Sequence, residues 1–316
     1  MKKIIIAAMT ALMALSPLAA RTKVVTTIFP AYDWAREVIG TNDAEITMLL
    51  DNGVDLHSYQ PTVQDIAKIS TCDVFVYVGG ESDGWVEDAL KTARNKNMQV
   101  VNLMEVMGTR AKAEEVKEGM EADNHEHNHA HHHDEEEEEL DEHVWLSLKN
   151  AQLLTNAICN ALVKADSKNA ASYKANCEAY IRKLAALDAE YTAAVRGAAQ
   201  KTLVFCDRFP FRYLVDDYGL DYFAAFAGCS AETEASFKTV AFLANKSDEL
   251  GIKNVAVIES SDKKIAQTVI QNSKNKSRGI LVFDSMQSTT ANNVKKGTTY
   301  LSVMRKNLEV LKSALK

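Results

Sequence analysis

The chain has eight histidines, and six of them (His125, His127, His129, His131, His132 and His133) fall in the stretch NHEHNHAHHHDEEEEE. Neutral imidazoles flanked by carboxylates are ligands for cations such as Zn, Ni and Cu. A run this polar cannot bury enough apolar surface to fold, so its ligands lack fixed geometry and any ion it gathers is held loosely. The other two histidines are placed differently. His57 stands in the loop DNGVDLHSYQPT, after a strand-like run and before a helix. His143 stands where the acidic run gives way to Val144, Trp145 and Leu146, ahead of a helical segment. In the second half, FCDRF sets Cys206 and Asp207 at a strand terminus and LVFDSM sets Asp284 at another. GCSAETEAS adds Cys229, Glu232 and Glu234 after a third strand. Singly, such residues also serve as turn and cap residues, and Glu234 suits the start of the helix that follows it. Together they offer two imidazoles from one half and a thiol or carboxylates from the other. Four such groups make a tetrahedral metal site, with Zn–N near about 2.0–2.1 Å and Zn–S near about 2.3 Å.

The elements that must position these residues alternate. KVVTTIF, EITMLL, DVFVYVGG and QVVNLM read as strands, separated by helices in AYDWAREVIG, from 62 or 63 to 70, and in GWVEDALKTAR. Continuous apolar strands between helices predict a parallel sheet covered on both faces. Two helices follow, over 146–164 and 167–196. In the second, Tyr173, Cys177, Tyr180, Leu184, Leu187, Tyr191 and Ala194 step by four and three, an unbroken apolar stripe. A helix of about thirty residues spans about 45 Å, the height of a two-lobed protein. The alternation then resumes with TLVFCD, DYFAAF, NVAVIES and ILVFDSM. The expected fold is α/β: two βα lobes, each with a mostly parallel sheet flanked by helices, joined by one long rigid helix. The expected boundaries are 1–20 for a leader, 21–165 for the first lobe with a disordered insert at 112–141, 166–198 for the linking helix and 199–316 for the second lobe.

Composition narrows the function. The net charge is −7, but twelve carboxylates and no Lys or Arg lie between Glu118 and Glu142, so the rest of the chain is about +5. No concentrated basic patch is present, and nucleic acid is not an expected partner. MKKIIIAAMTALMALSPLAA has two lysines, an apolar run and small residues, the pattern of a secretory signal peptide. No Cys lies near its end, so a lipid-anchored cysteine is not expected. The five cysteines allow at most two disulfides, and Cys159 and Cys177 sit in helical patterns as small apolar residues. An exported zinc hydrolase would need a general base such as Asp207, Glu232 or Glu259, yet G-x-S-x-G does not occur and H-E-x-x-H is spelled only inside the polar histidine run, at His125–His129, rather than on an apolar helical pattern.

At these residues the chain resembles the solute-binding proteins of zinc and manganese ABC transporters, the class with a single rigid linking helix. The resemblance covers essentially the whole mature chain. It rests on TTIFPAYDWAREVIG, LLDNGVDLHSYQPTVQDIAKISTCDVFVYVGG, the His/acid loop, DEHVWLSLKNAQ, FRYLVDDYGL, VAVIESS and the strand ending FDS. It implies a metal site of His57, His143, Cys206 and Asp284. The third position is usually His in zinc-type members and Glu in manganese-type members; here it is Cys206, with Asp207, Cys229, Glu232 or Glu234 as alternatives. Two imidazoles with a thiolate or carboxylate suit Zn²⁺ better than Mn²⁺. The resemblance further implies an exported, non-enzymatic protein, expected as a monomer, that hands its ion to a membrane permease. The alternatives are a manganese-type protein and a metal buffer or adhesin without a permease.

Overall fold

The computed structural model describes residues 21–121, 139–230 and 234–316. The leader, the six clustered histidines and Glu232 lie outside the described residues.

The first lobe runs β1 (Thr22–Thr26), α1 (Phe29–Ile39), β2 (Ala44–Met48), α2 (Val63–Thr71), β3 (Val74–Tyr77), α3 (Val86–Lys91), β4 (Gln99–Asn102) and α4 (Leu103–Met107). Two long helices follow, α5 (Leu148–Ala165) and α6 (Ala170–Arg196). The second lobe is β5 (Thr202–Arg208), α7 (Arg212–Tyr218), β6 (Asp221–Phe226), α8 (Phe237–Glu249), β7 (Asn254–Ile258), α9 (Lys264–Asn272), β8 (Gly279–Phe283), α10 (Ala291–Lys295) and α11 (Tyr300–Ala314). The short helices α4 and α10 carry too few turns to show in the sequence pattern.

The two sheets have the same plan. Their strand orders are β2-β1-β3-β4 and β6-β5-β7-β8, and every pairing is parallel. In each, the first strand has its second and third strands on opposite sides, so the chain reverses direction across the sheet at that point. Ligands in open α/β sheets gather beyond the carboxyl ends of strands at such a switch. The loops after β2 and β6 therefore hold equivalent places in the two lobes.

Local chemistry sets the element ends. Thr62 and Asp65 form a reciprocal capping box at the start of α2, which satisfies two of the amide donors a helix start leaves unpaired. Pro30 lies in the first turn of α1, where its missing N–H costs nothing. Along α6 the residues that turn inward are Tyr173, Cys177, Tyr180, Leu184, Leu187, Tyr191 and Val195. The stripe agrees with the sequence reading except that Val195 rather than Ala194 ends it. At 27 residues, α6 is about 40 Å long. Asn176 of α6 donates to Val38 O at 3.0 Å in the first lobe, and Tyr191 OH donates to Met304 O at 2.6 Å in the second.

One apolar core runs unbroken from the first lobe through α5 and α6 into the second. Between the lobes, Trp145 Nε1 donates to Ser285 O at 2.9 Å, Tyr300 OH to Trp145 O at 2.7 Å, and Tyr300 N to Asp33 at 2.8 Å. A smaller core, containing Val204, Cys206, Ala225, Leu243, Val257 and Val269, is confined to the second lobe.

The expected disorder of 112–141 fails at both of its ends. Asp141 N donates to Lys112 O and Glu114 N to Glu139 O, each at 2.8 Å, closing the base of the insert. Glu115 pairs with Arg212, Lys117 with Asp221, and Glu121 N donates to Ala225 O at 3.0 Å. Charged residues with fixed partners on the second lobe are ordered even though they bury little apolar surface. All five cysteines are free thiols.

Candidate metal centre

His57 sits on a stiff turn. Asp55 Oδ1 accepts the His57 N–H at 3.1 Å, capping the 3-10 turn Leu56–Ser58, while Leu56 is buried in the main core. Nδ1 of His57 lies 2.8 Å from Ser82 Oγ. The other nitrogen, Nε2, faces Nε2 of His143 at 3.3 Å.

His143 is fixed in the same manner. Asp141 Oδ1 accepts both the His143 backbone N–H at 2.8 Å and its Nδ1–H at 2.9 Å. That contact selects the Nδ1–H tautomer and leaves the Nε2 lone pair free. The ring is fully buried, tilted against Trp145 with centroids 5.2 Å apart. Its other neighbour is Gly228, where a Cβ would meet His143 Cε1 and Nδ1 at 3.2 Å and Phe209 O at 3.0 Å.

Cys229 completes the cluster from the loop after β6. Its thiol and the two imidazoles offer ligand atoms that all lie within 4.8 Å of one another. Its backbone N–H donates to Glu114 Oε1 at 2.8 Å, so the ordered stem of the insert braces it. Two nitrogens bound at about 2.0–2.1 Å to a tetrahedral ion stand about 3.3–3.4 Å apart. The observed imidazole spacing already has that value.

The charges around the cluster divide the two rings. Burial and the neighbouring His143 push the His57 pKa down to about 4, so this ring is neutral at physiological pH. Burial alone would also lower His143, but Asp141, Glu142 and Asp55 together outweigh it and the pKa is raised. Two rings this close do not both carry a positive charge. Burial, then Glu114, pushes the Cys229 thiol well above its ordinary range, with the Glu142 backbone amide pulling the other way. A cation entering here therefore displaces a thiol proton. Across the mouth, Arg208 Nη2 donates to Asp55 Oδ2 at 3.0 Å, tying the second lobe to the His57 loop.

Of the residues expected from sequence, the structure brings together His57, His143 and Cys229. Cys206 stands apart: at 1% exposure it points with Val204 into the smaller core. Successive side chains on a strand point to opposite faces, and Phe205 takes the face toward the main core. Asp284 also lies outside the cluster. Its Oδ1 accepts the Met286 N–H at 2.9 Å, and it lines a separate cavity of about 410 Å³ with Glu259 and Lys306. Burial and then Glu259 push its pKa up to about 6. Asp207 lines another cavity with Ser261 and Asp262, and Glu234 is exposed. The supporting residues Asp55, Asp141, Ser82 and Glu114 were not foreseen. A signal for two of them was present: D-L-H and D-E-H share a spacing, and in both the aspartate accepts the histidine N–H.

Fold and cluster together define a two-lobed metal-ion-binding protein whose lobes are joined by one long helix. The chain belongs to the family described as zinc-uptake complex component A, periplasmic, whose model it matches over residues 24–314. It is similar to the zinc-binding protein AdcA of Streptococcus pyogenes serotype M6, at 35% identity over 305 residues, covering 92% of this chain and 56% of that protein. It is also similar to the high-affinity zinc uptake system protein ZnuA of Bacillus subtilis, at 32% identity over 292 residues, covering 92% of this chain and 87% of that protein. Among solved structures, the Zn(II)-bound ZnuA-like domain of Streptococcus pneumoniae AdcA matches with a TM-score of 0.72 and 28% identity, covering 94% of this chain and 99% of that domain. The metal-dependent lipoprotein YcdH of Bacillus subtilis matches with a TM-score of 0.74 and 27% identity, covering 93% and 99%. The chain thus spans little more than half the length of the AdcA relatives. These matches bear out the two-lobed α/β fold and the family read from the sequence.

Proposed function

We propose that this protein captures Zn²⁺ outside the cytoplasmic membrane and delivers it, as a monomer, to the permease of an ABC transporter. The ion is the cargo, and the protein performs no reaction on it. The observation that carries this reading is the convergence of His57 Nε2 and His143 Nε2 at 3.3 Å with the Cys229 thiol in reach. Two imidazoles and a thiolate favour Zn²⁺ over Mn²⁺, which prefers oxygen donors. Each imidazole is held from its far nitrogen, so little ordering remains to be done when the ion arrives. The continuous core beneath the site supports small lobe movements rather than a wide hinge. The histidine run within the insert serves to gather ions.

Competition against a chelator of known affinity tests the assignment. Protein lacking residues 124–134 is expected to keep one tight zinc, and His143→Ala is expected to lose it. Tight 1:1 binding by His143→Ala would sink the site. Loss of binding on deleting the run alone would move the ion out of the cleft and into the run.

A further inference from the structure

Next to the two imidazoles lies a carboxylate with an unfilled role. Glu142 is only 3% exposed. Its Oε1 accepts the Ser82 N–H at 3.0 Å, whereas its Oε2 is buried with no hydrogen-bond partner among the described residues. Leaving a buried carboxylate oxygen unpaired is destabilising. The fold nevertheless makes room for it. At Gly80, whose φ is +78°, a Cβ would come within 2.2 Å of Glu142 Oε1. Oε2 lies 3.8 Å from Nδ1 of His57. That is the nitrogen opposite the one facing His143, and it now contacts the Ser82 hydroxyl at 2.8 Å.

We propose that Glu142 is a positioning residue for the bound cation: when His57 Nε2 takes the ion, Glu142 Oε2 accepts the His57 Nδ1–H and forms a carboxylate–imidazole–metal relay. This rests on reading His57, His143 and Cys229 as the cation site. Coordination draws electron density from the ring and makes its N–H a stronger donor, for which a carboxylate is a better acceptor than a hydroxyl. A charge-assisted N–H···O bond is about 2.7–2.9 Å long, so a movement of about 1 Å closes the gap. Asp141 already accepts from His143 Nδ1. The tripeptide Asp141-Glu142-His143 would then supply one ligand and the carboxylate partners of both imidazoles. The metal-free protein carries the cost of the unpaired oxygen, and the dication relieves it.

Cobalt(II) is the probe, with the full chain as the sample. A thiolate-to-cobalt charge-transfer band reports Cys229. The paramagnetically shifted, exchangeable imidazole N–H signals report His57 and His143 separately. Glu142→Gln is expected to weaken Co²⁺ and Zn²⁺ binding ~10–100-fold, and to move the His57 N–H signal and speed its exchange. The His143 signal and the charge-transfer band should stay. Because Gln removes a buried unpaired charge, the metal-free midpoint of thermal unfolding should hold or rise. Glu142→Asp keeps the charge but withdraws it by one methylene, and should show the same signature more weakly. Asp141→Asn should move the His143 signal instead. Affinity within twofold of the parent with an unmoved His57 signal would overturn the proposal. So would a loss of metal-free stability that moves both signals together. A parent protein without the charge-transfer band at one equivalent of cobalt fails differently, because that removes the cation site itself.

Discussion

His57 and His143 face each other through their Nε2 atoms at 3.3 Å, with both Nδ1 atoms engaged elsewhere. Two lone pairs at that distance repel unless a cation or a proton lies between them. The metal-free site is therefore held together by its surroundings, and binding should stabilise the whole fold. Zinc at a thousandfold excess over Kd adds about 4 kcal/mol. Scanning calorimetry of metal-free and zinc-loaded protein should show a rise of several degrees, and no rise in the double variant His57→Ala/His143→Ala.

The two second-lobe cysteines should separate cleanly. Cys229→Ala is expected to weaken zinc binding by ~100-fold or more, beyond the loss typical of an outer-shell change. Cys206→Ala should leave affinity alone and cost about 1 kcal/mol of stability, the scale of one buried methyl-sized group. Chelator competition and urea unfolding on both variants check this. A strong affinity loss in Cys206→Ala would place that thiol back among the ligands.

Zinc binding should release protons. The Cys229 thiol is pushed up by burial and Glu114, so it enters the complex by losing a proton. Titration calorimetry at neutral pH, in buffers of different ionisation enthalpy, should count about one proton per zinc from this group. Cys229→Ser should lower the count by about one.

The pH dependence of metal-free stability has two opposing parts. His57 is depressed to about 4. Its contribution is full above the unfolded value near about 6.5 and is lost as pH falls toward 4. His143 is raised, so its contribution is full below about 6.5 and is lost as pH rises through its folded value. His57→Gln should therefore favour pH 5 relative to pH 8 in denaturant unfolding, and His143→Gln should do the reverse.

Gly228 is a packing constraint on the site. Gly228→Ala places a methyl group 3.2 Å from the His143 ring and 3.0 Å from Phe209 O. The backbone cannot yield, so the ring must. Zinc affinity should fall by ~10-fold, the lower range for disturbing a ligand's support. Chelator competition with a matched unfolding curve separates this from a general loss of fold.

Much of this architecture is set locally and was legible. The βα alternation, the stripe along α6 and the turns carrying His57 and His143 depend on residues close in sequence. Both histidines follow an aspartate by two positions, and both aspartates accept the histidine N–H. A turn closed by its own side chain needs no distant partner to form. The order at the ends of the insert is not legible locally, because it comes from Arg212, Asp221 and Ala225, about a hundred positions away.

The third member of the cluster shows where sequence stops. In TLVFCDR both faces of the strand are covered at its centre, so Leu203, Val204, Phe205 and Cys206 form an apolar run with no alternation to say which side chains point inward. Only the assembled sheet reveals that Phe205 faces the main core and Cys206 the smaller one. Cys229 reaches the imidazoles because β6 lies beside β5 as β2 lies beside β1, which brings equivalent loops of the two lobes to one cleft. By itself the sequence determined the elements and the turns that carry His57 and His143, because these follow from periodicity and short-range hydrogen bonds. Tertiary structure decided which thiol joins them and set Glu142 beside His57, because both depend on strand order and on pleat phase.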